Sequence, residues 1–219
     1  MTFKKRFIIT TVCLVLIAAN VVYMKVQKNT KSEYLKSMNE IVVTVDGKDY
    51  VLSDIAYYIA KQETKVQEEA ILYNPDDANE FWNVHTNGKF IRLAAKENTM
   101  SRAIHDFIFI DMANERDVTL TEEELMYAEN NAVDFWDDLG EERQALIGID
   151  YEKLKDTVLD EALAEKMVKI FAEENDKSPS NYDYDASAYE KMLADHTYTI
   201  NEDLWGDFTF GWITIKREN

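Results

Sequence analysis

The sequence predicts a mainly helical protein: an N-terminal transmembrane helix, then a helical body with one small sheet formed by an N-terminal hairpin and a C-terminal strand. Three observations lead there. Only six Gly and two Pro occur in 219 residues, which favours a helix-rich body. Residues 7–24, FIITTVCLVLIAANVVYM, are 18 uncharged positions in a row, long enough to cross the hydrocarbon core of a bilayer. In residues 90–139, Phe90, Leu93, Met100, Ile104, Phe107 and Ile108 recur at three- and four-residue spacing, so a helix over about 90–115 carries one wide apolar face.

Lys4, Lys5 and Arg6 precede the apolar run as the charged start of a signal sequence. Two fates compete for it. Ala18 and Ala19 are small enough for cleavage after Ala19, whereas the run continues through Val21, Val22, Tyr23 and Met24, which favours an uncleaved anchor. Cys13, the only cysteine, lies inside this run without the small preceding residue a lipoprotein needs. The body therefore has no disulfide framework, thiolate cluster or cysteine nucleophile. Four lysines follow the run, so the flanking charges nearly balance. A cytoplasmic N-terminus is the usual outcome of such a start. Residues 1–36 then form tip, anchor and basic linker, and residues 37–219 one helical domain.

In 41–52, IVVTVDGKDYVL, two short strands flank Asp46-Gly47, a tight-hairpin signal. Ser53 is the expected cap of a helix from Asp54 to about Leu72, whose inner face holds Ile55, Tyr58, Ile59, Val66 and Ala70. Asn74-Pro75-Asp76-Asp77 breaks it, and Phe81-Trp82 opens an aromatic patch before Gly88 admits the central helix. Thr121 and Glu124 form a capping box for the next helix, buried through Leu125, Ala128, Ala132, Trp136 and Leu139 and ended by Gly140. A short turn of helix, 141–146, follows. Asp150 opens a long helix to about Glu174, Ser178-Pro179-Ser180-Asn181 reads as a hinge, and Ala186–Ala194 as a last helix. From Tyr198 to Ile215, Phe208, Phe210 and Trp212 alternate with Thr209, Gly211 and Ile213 as in a strand. The only other strand-rich stretch is the N-terminal hairpin, so the two are expected to share a sheet.

The Val-Asp-Gly hairpin running into a helix with Tyr57 and Tyr58, and the long helix ending in MANERDVTLTEEEL, resemble the N-terminal chaperone domain of SurA-type and PrsA-type secretion chaperones. That domain is related to the peptide-binding region of trigger factor. The resemblance implies a non-catalytic chaperone domain on the extracytoplasmic side of the cell membrane. Relatives of this kind often carry a parvulin-type prolyl isomerase domain, but no segment here has its strand-rich, His-containing make-up, so an isomerase label has no residues behind it.

Charge narrows the partners. The net charge is −18, with a balance of +6 over residues 1–36 and −24 beyond them. So acidic a body repels phosphate backbones, which argues against nucleic acid; cationic clients are easier, and solubility alone also accounts for the charge. His85, His105 and His196 are never three or four apart and no HExxH occurs, which argues against zinc. Asn181, Asp183 and Asp185 mimic calcium-loop ligands, but Ala186 replaces the required Gly and Met192 the bidentate Glu. P-loop, GxSxG and dinucleotide fingerprints do not occur. No catalytic residue, metal ligand or cofactor is assigned.

Aromatic residues remain. Tyr57, Tyr58, Phe81, Trp82, Phe107, Phe109, Phe135 and Trp136, with Trp205, Phe210 and Trp212, exceed what a core of this size needs. The first eight are the expected peptide-binding residues, since aromatic grooves take extended apolar segments with little sequence preference; the plainer alternative is that all are core. The expected function is a membrane-anchored holdase for unfolded or exported polypeptides. The alternative is an envelope adaptor or scaffold that binds one membrane or secreted partner.

Overall fold

A computed structural model of the protein describes residue 31 and residues 33–215. The membrane segment expected at 7–24 lies outside them, and no helix among the described residues is long and apolar enough to cross a membrane.

The body is mainly helical with a small antiparallel sheet, as the sequence predicts. Strands β1 (Ile41–Val45) and β2 (Lys48–Val51) form the expected hairpin. Asp46 and Gly47 take φ of 49° and 81°, the two left-handed positions of the tight turn whose twist matches the strands. Helix α1 (Leu52–Tyr73) starts directly from β2. Asp54, not Ser53, caps it: the Asp54 carboxylate accepts the Val51 N–H at 2.9 Å, because the helix begins two residues earlier than the Ser53 signal implied. A single turn, α2 (Ala78–Phe81), leads into a second small hairpin, β3 (His85–Thr86) and β4 (Lys89–Phe90). Asn87-Gly88 is its turn, with φ of 50° and 85°. The Asn-Gly signal stood in the sequence, but strands of two residues are too short for periodicity to mark.

Helix α3 (Ile91–Glu115) packs against both α1 and α5 (Tyr151–Glu174), and α4 (Glu122–Ile147) covers another side of α5. Asp150 caps α5 by accepting the Lys153 N–H at 2.9 Å. Gly140, at φ 65°, kinks α4 where the sequence predicts a break, and Gly148, at φ 79°, ends it. A Cβ on Gly148 would lie 2.8 Å from the Met38 side chain, so the chain turns here against the core. A 3₁₀ turn (Pro179–Tyr182) occupies the expected hinge, and α6 (Ser187–Leu193) follows it.

Strand β5 (Tyr198–Ile200) pairs with β1, giving the sheet order β2-β1-β5. The two ends of the body therefore do share one sheet. The strand expected to run on to Ile215 does not form. Helix α7 (Glu202–Gly206) interrupts it, and 208–215 is an irregular strap with Phe208, Phe210, Ile213 and Ile215 all buried. Glu63 of α1, fully enclosed, is the reason. Its Oε1 accepts the N–H groups of Gly211 (2.5 Å), Trp212 (3.1 Å) and Ile213 (3.2 Å). Its Oε2 accepts the Thr214 N–H (2.6 Å) and hydroxyl (2.7 Å). Four successive amides aimed at one carboxylate cannot alternate left and right as a strand ladder requires.

The α4 cap yields a first expected result. Glu124 and Thr121 close the capping box at 2.8 and 3.2 Å, and Lys166 Nζ donates to the same carboxylate at 2.6 Å. The Lys166 hydrogen bond, then the Thr121 amide, hold the Glu124 carboxyl at about 2, against an ordinary 4.5. A carboxyl depressed on folding stabilises the fold above its unfolded value, and that contribution fades as pH falls from 4.5 towards 2. The thermal midpoints of wild type and Glu124→Gln should differ at neutral pH and converge near pH 2. A carboxyl-carbon NMR titration of Glu124 centred near 4.5 instead would overturn this.

Candidate functional site

Of the eight aromatics expected to bind peptide, five are interior. Tyr57, Tyr58, Trp82, Phe107 and Phe109 are all at most 5% exposed. Phe107 stacks on Tyr50 with centroids 3.7 Å apart, and Trp82 donates its indole N–H to Gln67 at 3.0 Å. The physical reason is that α1 and α3 are contacted on several sides at once. The run Phe107-Ile108-Phe109-Ile110 wraps around the helix, and each side chain meets protein. Phe81, Phe135 and Trp136 are half-buried, and Trp136 meets Tyr151 edge to face at 6.0 Å.

Tyr57 and Phe135 do meet, edge to face at 5.2 Å, on a depression between α1, α4 and α5 of about 420 Å³. Half of the residues that line this depression have charged or amide side chains. The buried Glu161 carboxylate beneath it accepts from Tyr57 Oη (2.9 Å), Lys61 Nζ (2.6 Å) and Arg102 (3.0 Å). Burial alone would raise the Glu161 carboxyl, but Lys61 and Arg102 outweigh it and hold it below the usual range. Burial and then Glu161 push the Tyr57 phenol far up. With both carboxylate oxygens engaged by cations and a neutral phenol, the cluster is a structural tie between α1, α3 and α5.

The apolar cleft is elsewhere. It opens between α3 and the segment α6–β5–α7, has a volume of about 420 Å³, and falls within the range of about 300–1,000 Å³ common for ligand pockets. Met100 and Ile104 of α3, Tyr189 of α6 and Trp205 of α7 line its buried interior, while Leu93 (44% exposed) and Tyr198 (47%) stand at its rim. Ile200 and Leu193 line it as well.

Lys96 joins the two walls. Its ammonium donates to the carbonyls of Gly206 (3.1 Å) and Phe208 (2.8 Å), at the C-terminal end of α7 where cations are favoured, and lies 5.5 Å from the Trp205 ring centroid. Burial lowers the Lys96 pKa, opposed by Glu202 and Asp207. Glu202 adds negative charge at the cleft, and Glu97 beside it is ion-paired with Lys89. Among the described residues, no group of three His, Cys, Asp or Glu side chains converges as a metal site would require. The arrangement suits burial of apolar side chains from a bound segment.

Periodicity assigns Leu93, Met100 and Ile104 to an inner face and counts Trp205 among the surplus aromatics, but nothing local says that these residues meet Tyr189, Tyr198 and Ile200. Their juxtaposition depends on β5 pairing with β1, a contact across some 150 residues of chain.

No family model, curated protein or solved structure matches the chain. The likeness to secretion chaperones therefore rests on the hairpin at Asp46-Gly47 and on the α3–α4 junction.

Proposed function

We propose that the protein is a membrane-anchored holdase on the extracytoplasmic side, resembling the chaperone domain of SurA-type and PrsA-type proteins without an isomerase domain. The observation that carries this reading is the cleft between α3 and α6–β5–α7, with its apolar interior and the exposed Leu93 and Tyr198 at its rim. It takes the place of the five enclosed aromatics, Tyr57, Tyr58, Trp82, Phe107 and Phe109, while Phe81, Phe135 and Trp136 stay partly exposed. Each large apolar side chain moved from water into such a cleft gains about 1.5–3 kcal/mol, and association costs about 4–15 kcal/mol, so the gain from a few side chains is largely offset. Binding is then weak and reversible, as holding an unfolded chain demands. The acidic exterior keeps the complex in solution, and no bond is made or broken.

The 219-residue chain in lipid nanodiscs should suppress aggregation of a reduced model client at molar excess over that client, beyond empty nanodiscs. No suppression removes the reading. A second reading, an adaptor for one folded envelope partner, is favoured by a different surface: Leu125, Met126, Tyr127 and Val133 of α4 are between 39% and 58% exposed. Crosslinking in cells separates the two. Many unrelated clients support the holdase, and one stoichiometric partner supports the adaptor.

A further inference from the structure

The cleft is bordered by the edge of a sheet. Asp46 donates its N–H to the Thr197 carbonyl (2.8 Å), and Asn201 donates to Val42 (2.9 Å), while Thr199 lies opposite Thr44. Main-chain groups alternate in direction along an antiparallel strand. Thr197, Thr199 and Asn201 therefore face β1, and the N–H and C=O groups of Tyr198 and Ile200 point the other way. On that side the sheet order β2-β1-β5 has no further strand among the described residues. The side chains of Tyr198 and Ile200 lie opposite Val45 and Val43, which are buried, and both enter the lining of the cleft.

The two edges of this sheet are treated differently. β2 carries the exposed Lys48 and Asp49, and Lys48 is ion-paired with Asp111 at 2.9 Å; charges of this kind discourage pairing with other chains. β5 reads Tyr-Thr-Ile, uncharged and strand-prone, with no such guard. Resting on the holdase reading, we propose that the β5 edge takes an extended segment of an unfolded polypeptide as a fourth strand. Main-chain pairing would engage Tyr198 and Ile200, and every second side chain of the segment would enter the cleft. Glu202 at the cleft and the negative body around it select segments of alternating apolar residues flanked by Lys or Arg, while Glu97 is already paired with Lys89.

The test uses a fluorescein-labelled ten-residue peptide of alternating Val and Thr between paired lysines, with fluorescence anisotropy on the chain in nanodiscs. Two further peptides are N-methylated, one on the Val amides and one on the Thr amides. Only one set of amides can face β5, so one methylated peptide should bind about tenfold more weakly or worse and the other like the parent. Loss with methylated Val marks antiparallel addition, and loss with methylated Thr marks parallel addition. Equal binding of both, or loss of both, overturns the proposal.

Ile200→Pro removes an N–H that β1 does not use, a position where an edge strand tolerates Pro, and should weaken the parent peptide by a similar factor, with a lower thermal midpoint because the Ile200 side chain packs against the core. Should that variant fail to fold, the methylated peptides still decide. Self-association in detergent that disappears in Ile200→Pro would assign the edge to a second copy and overturn the proposal. If the wild type suppresses aggregation yet binds both methylated peptides alike, the holdase reading stands and the edge does not; if it suppresses nothing, the holdase reading itself has failed.

Discussion

Glu63→Gln should lower the stability of the protein by about 3–5 kcal/mol, the range for removing the charged partner from a buried, hydrogen-bonded site. The side chain is fully enclosed, and its two oxygens accept five donors from Gly211 to Thr214. A glutamine offers one acceptor oxygen and turns an NH₂ group towards donors in either orientation, so at least two buried N–H or O–H groups lose their acceptor. Arg143 reinforces the same corner by donating to the Thr214 carbonyl (3.0 Å) and the Thr64 hydroxyl (2.5 Å). On a domain of this size the thermal midpoint should fall by on the order of 10 °C. Amide hydrogen exchange at 211–214 should become fast at the same time. A loss under about 1 kcal/mol with those amides still protected would show instead that burial of Phe208, Phe210, Ile213 and Ile215 holds the strap without the carboxylate.

Phe109→Ala should cost about 3–5 kcal/mol in urea denaturation, the usual range for truncating an enclosed aromatic ring. Phe109 is 0% exposed, with the rings of His105 (4.8 Å), Phe171 (6.0 Å) and Tyr189 (6.4 Å) around it. The variant separates two roles for the same residue. A client-contacting ring would leave stability unchanged and weaken client binding, whereas a core ring does the reverse in whatever fraction stays folded. Leu93→Ser supplies the contrast. At 44% exposed it should change stability by less than about 0.5 kcal/mol and still reduce the suppression of client aggregation. An unaltered denaturation midpoint in Phe109→Ala would return the ring to the binding surface.

The architecture was legible where its causes are local. Alternating three- and four-residue spacing marked α3, the Thr121–Glu124 pair marked the start of α4, and Asp150 marked that of α5. Asp46-Gly47 set the first hairpin through two left-handed residues that only a few residue types accept. The expected pairing of the two ends also held, because a lone strand-like stretch had one possible partner. The strap failed as a strand for a reason no window could reveal. Phe208, Phe210 and Trp212 alternate convincingly, yet the amides of Gly211 to Thr214 are claimed by Glu63, one acidic residue among 42 and some 150 positions away.

The candidate site divides in the same way. Leu93, Met100 and Ile104 were visible as an apolar face, but an apolar face says only that something covers it. Which aromatic rings became interior and which lined a cleft was decided when α5 and the β1–β5 pairing brought distant segments against α3. Sequence alone determined the long helices, the caps of α4 and α5, the first turn and the acidity of the body, all of which follow from neighbours within a few residues. Tertiary structure alone decided that Tyr57, Tyr58, Trp82, Phe107 and Phe109 are enclosed, and that β5, the last strand of its sheet among the described residues, borders an apolar cleft. Burial is a property of what packs against a side chain, and here those partners arrive from the far end of the chain.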